Sequence, residues 1–228
     1  MNVRFLKNYA FLTLLTLSTT LVSAQQTEMN ANSATAYNHA IKLYNNKAYA
    51  AAQKTFSEVA ENTIGNSNLK SDSEYYKAMC AIKLHQTEAD KMVLNFVENH
   101  PNSNKKEKAF LNVGNYYFAN KKAAYALKWY TKVNREVLST ENKKELDFKM
   151  GYAMLSTGSL KLARKKFLPL INDARYGNDS RYYYGFIAYK QADYDEAETH
   201  LTEIAKQASY KSEATYYLLD ISFKDGRF

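Results

Sequence analysis

The sequence predicts an all-α fold, a solenoid of helix-turn-helix repeats, on three observations. Five alanines, Ala52, Ala89, Ala126, Ala163 and Ala197, recur at intervals of 37, 37, 37 and 34 residues. Each is followed four residues later by a large apolar side chain: Phe56, Val93, Tyr130, Phe167 and Leu201. Only 7 glycines and 2 prolines stand among 228 residues, so helix breakers are scarce. A fixed period of this length marks a repeat array. An array presents a surface rather than an enclosed cavity, which points to partner binding.

The elements follow in order. Ala36, Ala40, Leu43 and Tyr44 recur at helical spacing after Ser33, a candidate N-cap. Asn45-Asn46-Lys47 interrupts the pattern, and Tyr49, Ala52, Phe56, Val59 and Ala60 then share one face of a second helix. In the second repeat, Ser71 and Glu74 fit a capping box before Tyr75, Tyr76, Met79, Ile82 and Leu84. Its second helix carries Ala89, Val93, Phe96 and Val97 and stops near Pro101. The third repeat starts at a cap formed by Asn104 and Glu107. Phe110, Val113, Gly114 and Tyr117 build its first helix, and Tyr125, Ala126, Tyr130 and Val133 its second. The fourth runs from Phe148, Gly151, Met154 and Leu155 to Leu160, Ala163, Phe167 and Leu170, with Pro169 expected to kink or shorten its second helix. The fifth pairs Tyr184, Gly185, Ala188 and Tyr189 with Tyr194, Ala197, Leu201 and Ile204. One hairpin cannot bury its apolar face alone, so neighbours must stack.

Gly114, Gly151 and Gly185 fall mid-way along first helices. Glycine there costs about 0.8–1 kcal/mol relative to alanine, so its recurrence needs a packing reason. Close helix crossing supplies one, with the periodic alanine of the second helix expected to provide the other half of the contact and the large residue to fill the space beside it.

Phe110-x-x-Val113-Gly114-x-x-Tyr117 followed by Ala126 and Tyr130 resembles the tetratricopeptide repeat, as does Tyr184-Gly185 with Tyr194, Ala197 and Leu201. The resemblance covers residues 33–228, as about five repeats plus a truncated sixth. It departs from the family at Ala40, where glycine is common, and in the long early intervals, which place Gly65-Asn66-Ser67-Asn68 in a loop. The family implies a right-handed superhelix that binds proteins on its concave face.

Phase within the repeat then selects inward positions on the first helices. One ladder runs Tyr37, Tyr75, Leu111, Phe148, Tyr182 and Tyr216; a second runs Tyr44, Ile82, Phe118, Leu155, Tyr189 and Phe223. Ile41, Met79, Asn115, Tyr152, Phe186 and Asp220 lie between. Tyrosine and phenylalanine give large contact area at small entropic cost. Two readings stand: a groove for a peptide, or rings packed between neighbouring helices. Tyr152, Tyr182, Phe186 and Tyr189 are the expected exposed members, with Phe148 and Tyr216 as further partner-binding candidates. Family members that clamp a C-terminal carboxylate use lysine and asparagine; here only Asn115 fits, and Leu111 stands at the lysine position, so that activity is not supported.

Basic runs at Lys105-Lys106-x-Lys108, Lys121-Lys122 and Lys143-Lys144 read as solvated faces. The cluster Lys161, Arg164, Lys165 and Lys166 is a candidate contact for an anionic surface. Cys80 stands alone, so it forms no internal disulfide; it lies on an apolar stripe with Tyr76, Met79 and Ile82 and reads as a small buried hydrophobe. The four histidines have no zinc-type pairing, and no phosphate-cradling loop or Gly-x-Ser-x-Gly occurs. No enzyme activity, cofactor or metal is therefore expected. Asn178-Asp179-Ser180 fits a glycosylation sequon and is read as a helix cap.

Arg4 and Lys7 precede the uncharged stretch 10–22, and Val22-Ser23-Ala24 suits a signal-peptidase cut. Residues 1–24 are thus expected to be a cleaved leader and 25–32 a short tail; an uncleaved anchor is the alternative. Cleavage lowers the net charge from +8 to +6 by removing Arg4 and Lys7. Export argues against nucleic acid as a partner and for no membrane span in the mature chain. At the other end, Ala214, Tyr217, Leu218, Ile221 and Phe223 open a sixth unit, with Lys224-Asp225-Gly226-Arg227 as its turn and Phe228 opening a helix. The expectation is a chain that continues beyond Phe228. Together with the resemblance to bacterial envelope repeat proteins, the sequence reads as a non-catalytic scaffold in a Gram-negative-type envelope, periplasmic or outer-membrane associated. The alternative is the sensor region of a longer signalling protein.

Overall fold

Each stretch with apolar residues at helical spacing forms a helix. The computed structural model describes residues 31–63, 65 and 67–226, and among these no strand occurs. The expected leader, residues 25–30 of the expected tail, and Phe228 lie outside them. Residues 31 and 32, placed in the tail by sequence, already belong to helix α1, described over 31–45. The chain divides into two units, on either side of the Ala109–Phe110 bond.

In the first unit, α1 is followed by α2 (Tyr49–Asn62), α3 (Ser67–Lys83), α4 (Ala89–Asn99) and the first turn of α5 (Lys106–Ala119). Helix α3 packs on both α2 and α4. Ala40, Ala52, Phe56 and Cys80 form a buried cluster drawn from three helices, ringed by Tyr37, Tyr44, Tyr49 and Tyr76. The core thus runs through successive hairpins, as stacking requires.

Five local expectations change here. Ser33 lies inside α1 and is buried, so it caps nothing. Helix α3 starts at Ser67, which removes Ser67 and Asn68 from the expected loop and places Ser71 and Glu74 in the helix interior. There, Ser71 donates to the Ser103 hydroxyl at 3.0 Å, and Glu74 lies 2.9 Å from His100 Nε2. Asn104 sits in a turn before α5, where Ser103 Oγ accepts the Lys105 N–H at 3.3 Å. Lys105 is not solvated: its ammonium is 3.1 Å from Asp72 and rests against Tyr75 and Tyr76.

The second unit holds the rest of α5, then α6 (Ala123–Tyr130), α7 (Thr140–Ser156), α8 (Leu160–Phe167), α9 (Gly177–Lys190), α10 (Tyr194–Ile204) and α11 (Lys211–Lys224). Ser139 caps α7 by accepting the Asn142 N–H. Pro169 stops α8 after eight residues and sits in a 3-10 turn, Leu168–Leu170. Asn178, Asp179 and Ser180 lie within the first turn of α9 rather than capping it. Asp147 on α7 accepts both Arg135 nitrogens at 2.7 and 2.6 Å and Lys166 at 2.7 Å, tying the preceding turn to α8. Ala188, Ala197, Leu201, Ala214 and Ile221 continue the core through α9, α10 and α11.

The repeat period has a sharper physical content than the alanines alone suggested. The five alanines and the five large residues are all buried. At each mid-helix glycine the nearest atom belongs to the large residue. A Cβ on Gly114 would lie 2.4 Å from Tyr130, on Gly151 3.0 Å from Phe167, and on Gly185 3.0 Å from Leu201. Seven residues after each small position the chain turns through a left-handed residue: Lys47, His85, Lys121, Gly158, Ala192 and Gly226 follow Ala40, Ala78, Gly114, Gly151, Gly185 and Leu219.

Candidate functional site

The ladder positions separate by unit. In the first, Tyr75, Met79 and Ile82 are buried, and Tyr37 and Tyr44 are half-buried. Tyr76 is the hub, with ring centroids 6.3 Å from Tyr37, 5.2 Å from Tyr44 and 5.2 Å from Phe56. These rings are packing between helices, not a groove.

In the second unit the rings form a connected belt across α5, α7, α9 and α11. Phe118 meets Tyr152 at 5.6 Å, Tyr152 meets Tyr183 at 5.5 Å, and Tyr183 meets Tyr182 at 5.4 Å. Phe186 and Tyr189 then reach Tyr217 at 5.3 and 4.9 Å, and Tyr217 meets Tyr216 at 5.3 Å. These separations fit edge-to-face and offset ring packing.

Of the four rings expected to be exposed, Tyr152 is; of the two further candidates, Tyr216 is. Tyr152 is 39% exposed and Tyr216 is 67% exposed. Tyr182, Phe186 and Tyr189 are half-buried, because Tyr217 of α11 and Tyr210, the residue before it, cover them. Phe148 is half-buried between Phe167 and Tyr176, on the core side. The belt is therefore a wall of half-buried rings with open tyrosines at two places. Leu219 and Phe223 extend the exposed patch beyond Tyr216 on α11.

Three members fall outside the ladders read from the sequence, Tyr217 among them although it helps open the sixth unit. Tyr183 and Tyr217 each follow a ladder residue by one position, and the tyrosine doublets Tyr75-Tyr76 and Tyr216-Tyr217 were the available signal. Leu219 stands 34 residues after Gly185, where the earlier repeats keep a small residue.

Burial and local bonds fix the state of several polar groups in the belt. Burial, with Tyr217 and Glu213 nearby, pushes the Tyr182 hydroxyl up to about 12, and burial does the same for Tyr183. Both stay neutral at physiological pH. Tyr189 donates to Asp220 at 2.6 Å, and Lys224 binds the same carboxylate at 2.6 Å while lying 4.8 Å above the Tyr189 ring. The Lys224 contact, followed by the Tyr189 bond, lowers the Asp220 pKa. Asn115, the candidate carboxylate-clamp residue, is taken up by the Tyr130 hydroxyl and the Lys149 ammonium, each at 2.8 Å.

Of the basic cluster, Arg164 bonds Asp193 at 2.7 Å and stacks on Tyr184 at 4.7 Å, and Lys166 bonds Asp147. Lys161 and Lys165 are exposed. Among the described residues no group of three or more His, Cys, Asp and Glu could hold a metal ion, and no helix is long and apolar enough to cross a membrane.

No protein-family model and no curated protein sequence matches the chain. Solved structures do. A MamA structure (AMB-1) superimposes with a TM-score of 0.59 at 14% identity, covering 79% of this chain and 93% of its own. A Podospora anserina putative kinesin light chain with nearly identical TPR-like repeats gives 0.55 at 11% identity, covering 78% of this chain and 94% of its own. The chain has the tetratricopeptide-repeat fold. PilF of Pseudomonas aeruginosa, at a TM-score of 0.53 and 12% identity over 85% of this chain and 92% of its own, agrees. Within this fold the aromatic belt rides on the first helices of the hairpins, with α5, α7, α9 and α11 supplying its rings.

Proposed function

We propose that the chain is a non-catalytic scaffold of the bacterial cell envelope, and that it binds a partner protein or peptide on the aromatic belt of its second unit. The observation that carries this reading is the exposure of Tyr152 and Tyr216 at either side of a continuous wall of half-buried rings. A rigid ring backed by other rings loses little entropy when a partner covers it, and its hydroxyl still offers a directional bond. The fold supports a surface-binding role. The basic N-terminal start, the uncharged 10–22 stretch and Val22-Ser23-Ala24 support export.

A photo-crosslinking amino acid placed at Tyr152 or Tyr216 in living cells tests the site. The expected result is the same discrete adduct from both positions and none from Thr202, an exposed residue of α10. Equal adducts from all three positions, or adducts from Thr202 alone, would remove the belt as the binding face. Mass spectrometry of the purified native protein tests export: a chain beginning at Gln25 is expected, and a chain retaining residues 1–24 in the soluble cytoplasm overturns the envelope assignment.

A further inference from the structure

The exposed face of α8 carries features that core packing does not use. The helix buries Ala163 and Phe167, yet Leu162 on it and Leu168 in the turn that follows are 52% and 49% exposed amid four cationic residues. Each leucine borders a cavity. One, of about 350 Å³, is lined by Leu168, Tyr184, Gln191 and the stems of Lys161, Arg164 and Lys165. The other, of about 310 Å³, is lined by Leu162, Met154, Pro169, Asp147, Lys165 and Lys166. Lys165 belongs to both and forms the ridge between them. Leu168 lines the first cavity and Pro169 the second, both from the 3-10 turn in which the proline ends α8.

The charges around these cavities do not cancel. Asp193 neutralises Arg164, and Asp147 faces both Arg135 and Lys166. Arg135, Lys161, Arg164, Lys165 and Lys166 against Asp147 and Asp193 leave an excess of three positive charges, with Lys161 and Lys165 exposed. A floor of carbon under a cationic rim selects a ligand with the inverse pattern.

We propose that this face of α8 is a second docking surface, for an acidic peptide segment whose two large apolar side chains enter the cavities on either side of Lys165. A carboxylate between those anchors meets the Lys165 ammonium. Two recesses, each roomy enough to take a large side chain, favour a peptide over a lipid surface, which would instead receive protruding side chains and leave both recesses empty. The inference is independent of the aromatic belt.

The test is a selection of random dodecapeptides displayed on phage against the full chain, counter-selected on the Lys165→Glu plus Leu168→Ser variant. The expected outcome is enrichment of sequences with Asp or Glu between large apolar residues. The best clone, synthesised with a fluorescent label, should lose about tenfold in affinity on Lys165→Glu, as for loss of one close charge contact. It should lose affinity similarly on Leu162→Ser, and none on Tyr152→Ala plus Tyr216→Ala. Circular dichroism checks that each variant is folded; Leu162→Ser carries the test if Lys165→Glu is not. Selected peptides without an acidic-apolar pattern, or binding unmoved by either α8 variant, would overturn the proposal. So would binding lost only on the tyrosine variant, which assigns the peptides to the belt. Sedimentation with phosphatidylglycerol vesicles that depends on Lys165, with no peptide enriched, would make the face a lipid contact instead.

Discussion

Gly114 and Tyr130 compete for one space: a Cβ on Gly114 would lie 2.4 Å from Cε1 of the Tyr130 ring. Tyr130 cannot easily retreat, because it is buried and its hydroxyl is bonded to Asn115 at 2.8 Å. Gly114→Ala gains about 1 kcal/mol of helix propensity and meets an overpacking cost of about 1–3 kcal/mol. The expected outcome is net destabilisation in urea unfolding, partly recovered by adding Tyr130→Leu. Gly185→Ala, with its nearest approach at 3.0 Å to Leu201, should cost less. A Gly114→Ala protein as stable as the parent would contradict the packing reason for the repeated glycine.

Ala192 turns the chain between α9 and α10 with φ 57, in the left-handed region where an L side chain is strained. Gly158 does the same between α7 and α8 with φ 79 and open space around it. Ala192→Gly should therefore stabilise the fold, and Gly158→Ala should destabilise it, each by about 1 kcal/mol after the opposing effect on the unfolded chain. Thermal unfolding of the two variants reads both signs, and equal signs would refute the turn assignment.

These two sites show what was legible. The alanine period fixed the phase of every hairpin, and the hairpins from Tyr49 onward form with those boundaries to within a few residues. Caps were read poorly, since Ser33, Ser71 and Asn104 match cap composition but lie inside helices or turns. A serine inside a helix and one at its end differ only by where tertiary packing stops the helix. The turn was hidden for a related reason: Lys47, His85, Lys121 and Ala192 accept a positive φ because the paired helices impose it, not because their side chains favour it. Exposure of the rings was the least legible quantity. Tyr182 and Tyr216 hold the same ladder position, yet Tyr182 is half-covered by Tyr210 while Tyr216 stands open.

Cys80 is fully buried in the α1–α3 cluster, and burial pushes its thiol up to about 12. Thiolate is the reactive form, so the native protein should resist Ellman's reagent at neutral pH. Labelling should follow unfolding in denaturant. Stoichiometric labelling of the folded chain within minutes would show that the first unit opens far more readily than its packing implies.

His200 is buried against the Tyr184 ring at 4.6 Å, with Nδ1 unpartnered and Nε2 3.2 Å from Glu196. Burial lowers its pKa below the ordinary imidazole value, reinforced by Arg181 and Arg164 and opposed by Glu196. The unfolded chain then takes up the proton first, so stability should fall as pH drops below about 6.5. His200→Gln should flatten that part of the stability profile while leaving the limb due to carboxylates. An unchanged slope in the variant would place the acid sensitivity elsewhere.

Tyr182 and Phe186 test whether the belt is wall or groove. Both are half-buried, Tyr182 against Tyr210 at 5.5 Å and Phe186 against Tyr217 at 5.3 Å, so each helps hold α11 on α9. Changing both to alanine should cost about 3 kcal/mol, below the sum for two fully buried rings. Hydrogen exchange should quicken in α11 before the other helices of the second unit. Tyr152→Ala plus Tyr216→Ala removes the exposed rings, and stability should change by under about 1 kcal/mol. Only the second pair should then reduce partner crosslinking in a protein that is still fully folded. If the Tyr182 and Phe186 double variant keeps its stability, those rings are not the support that α11 rests on, and the wall reading fails.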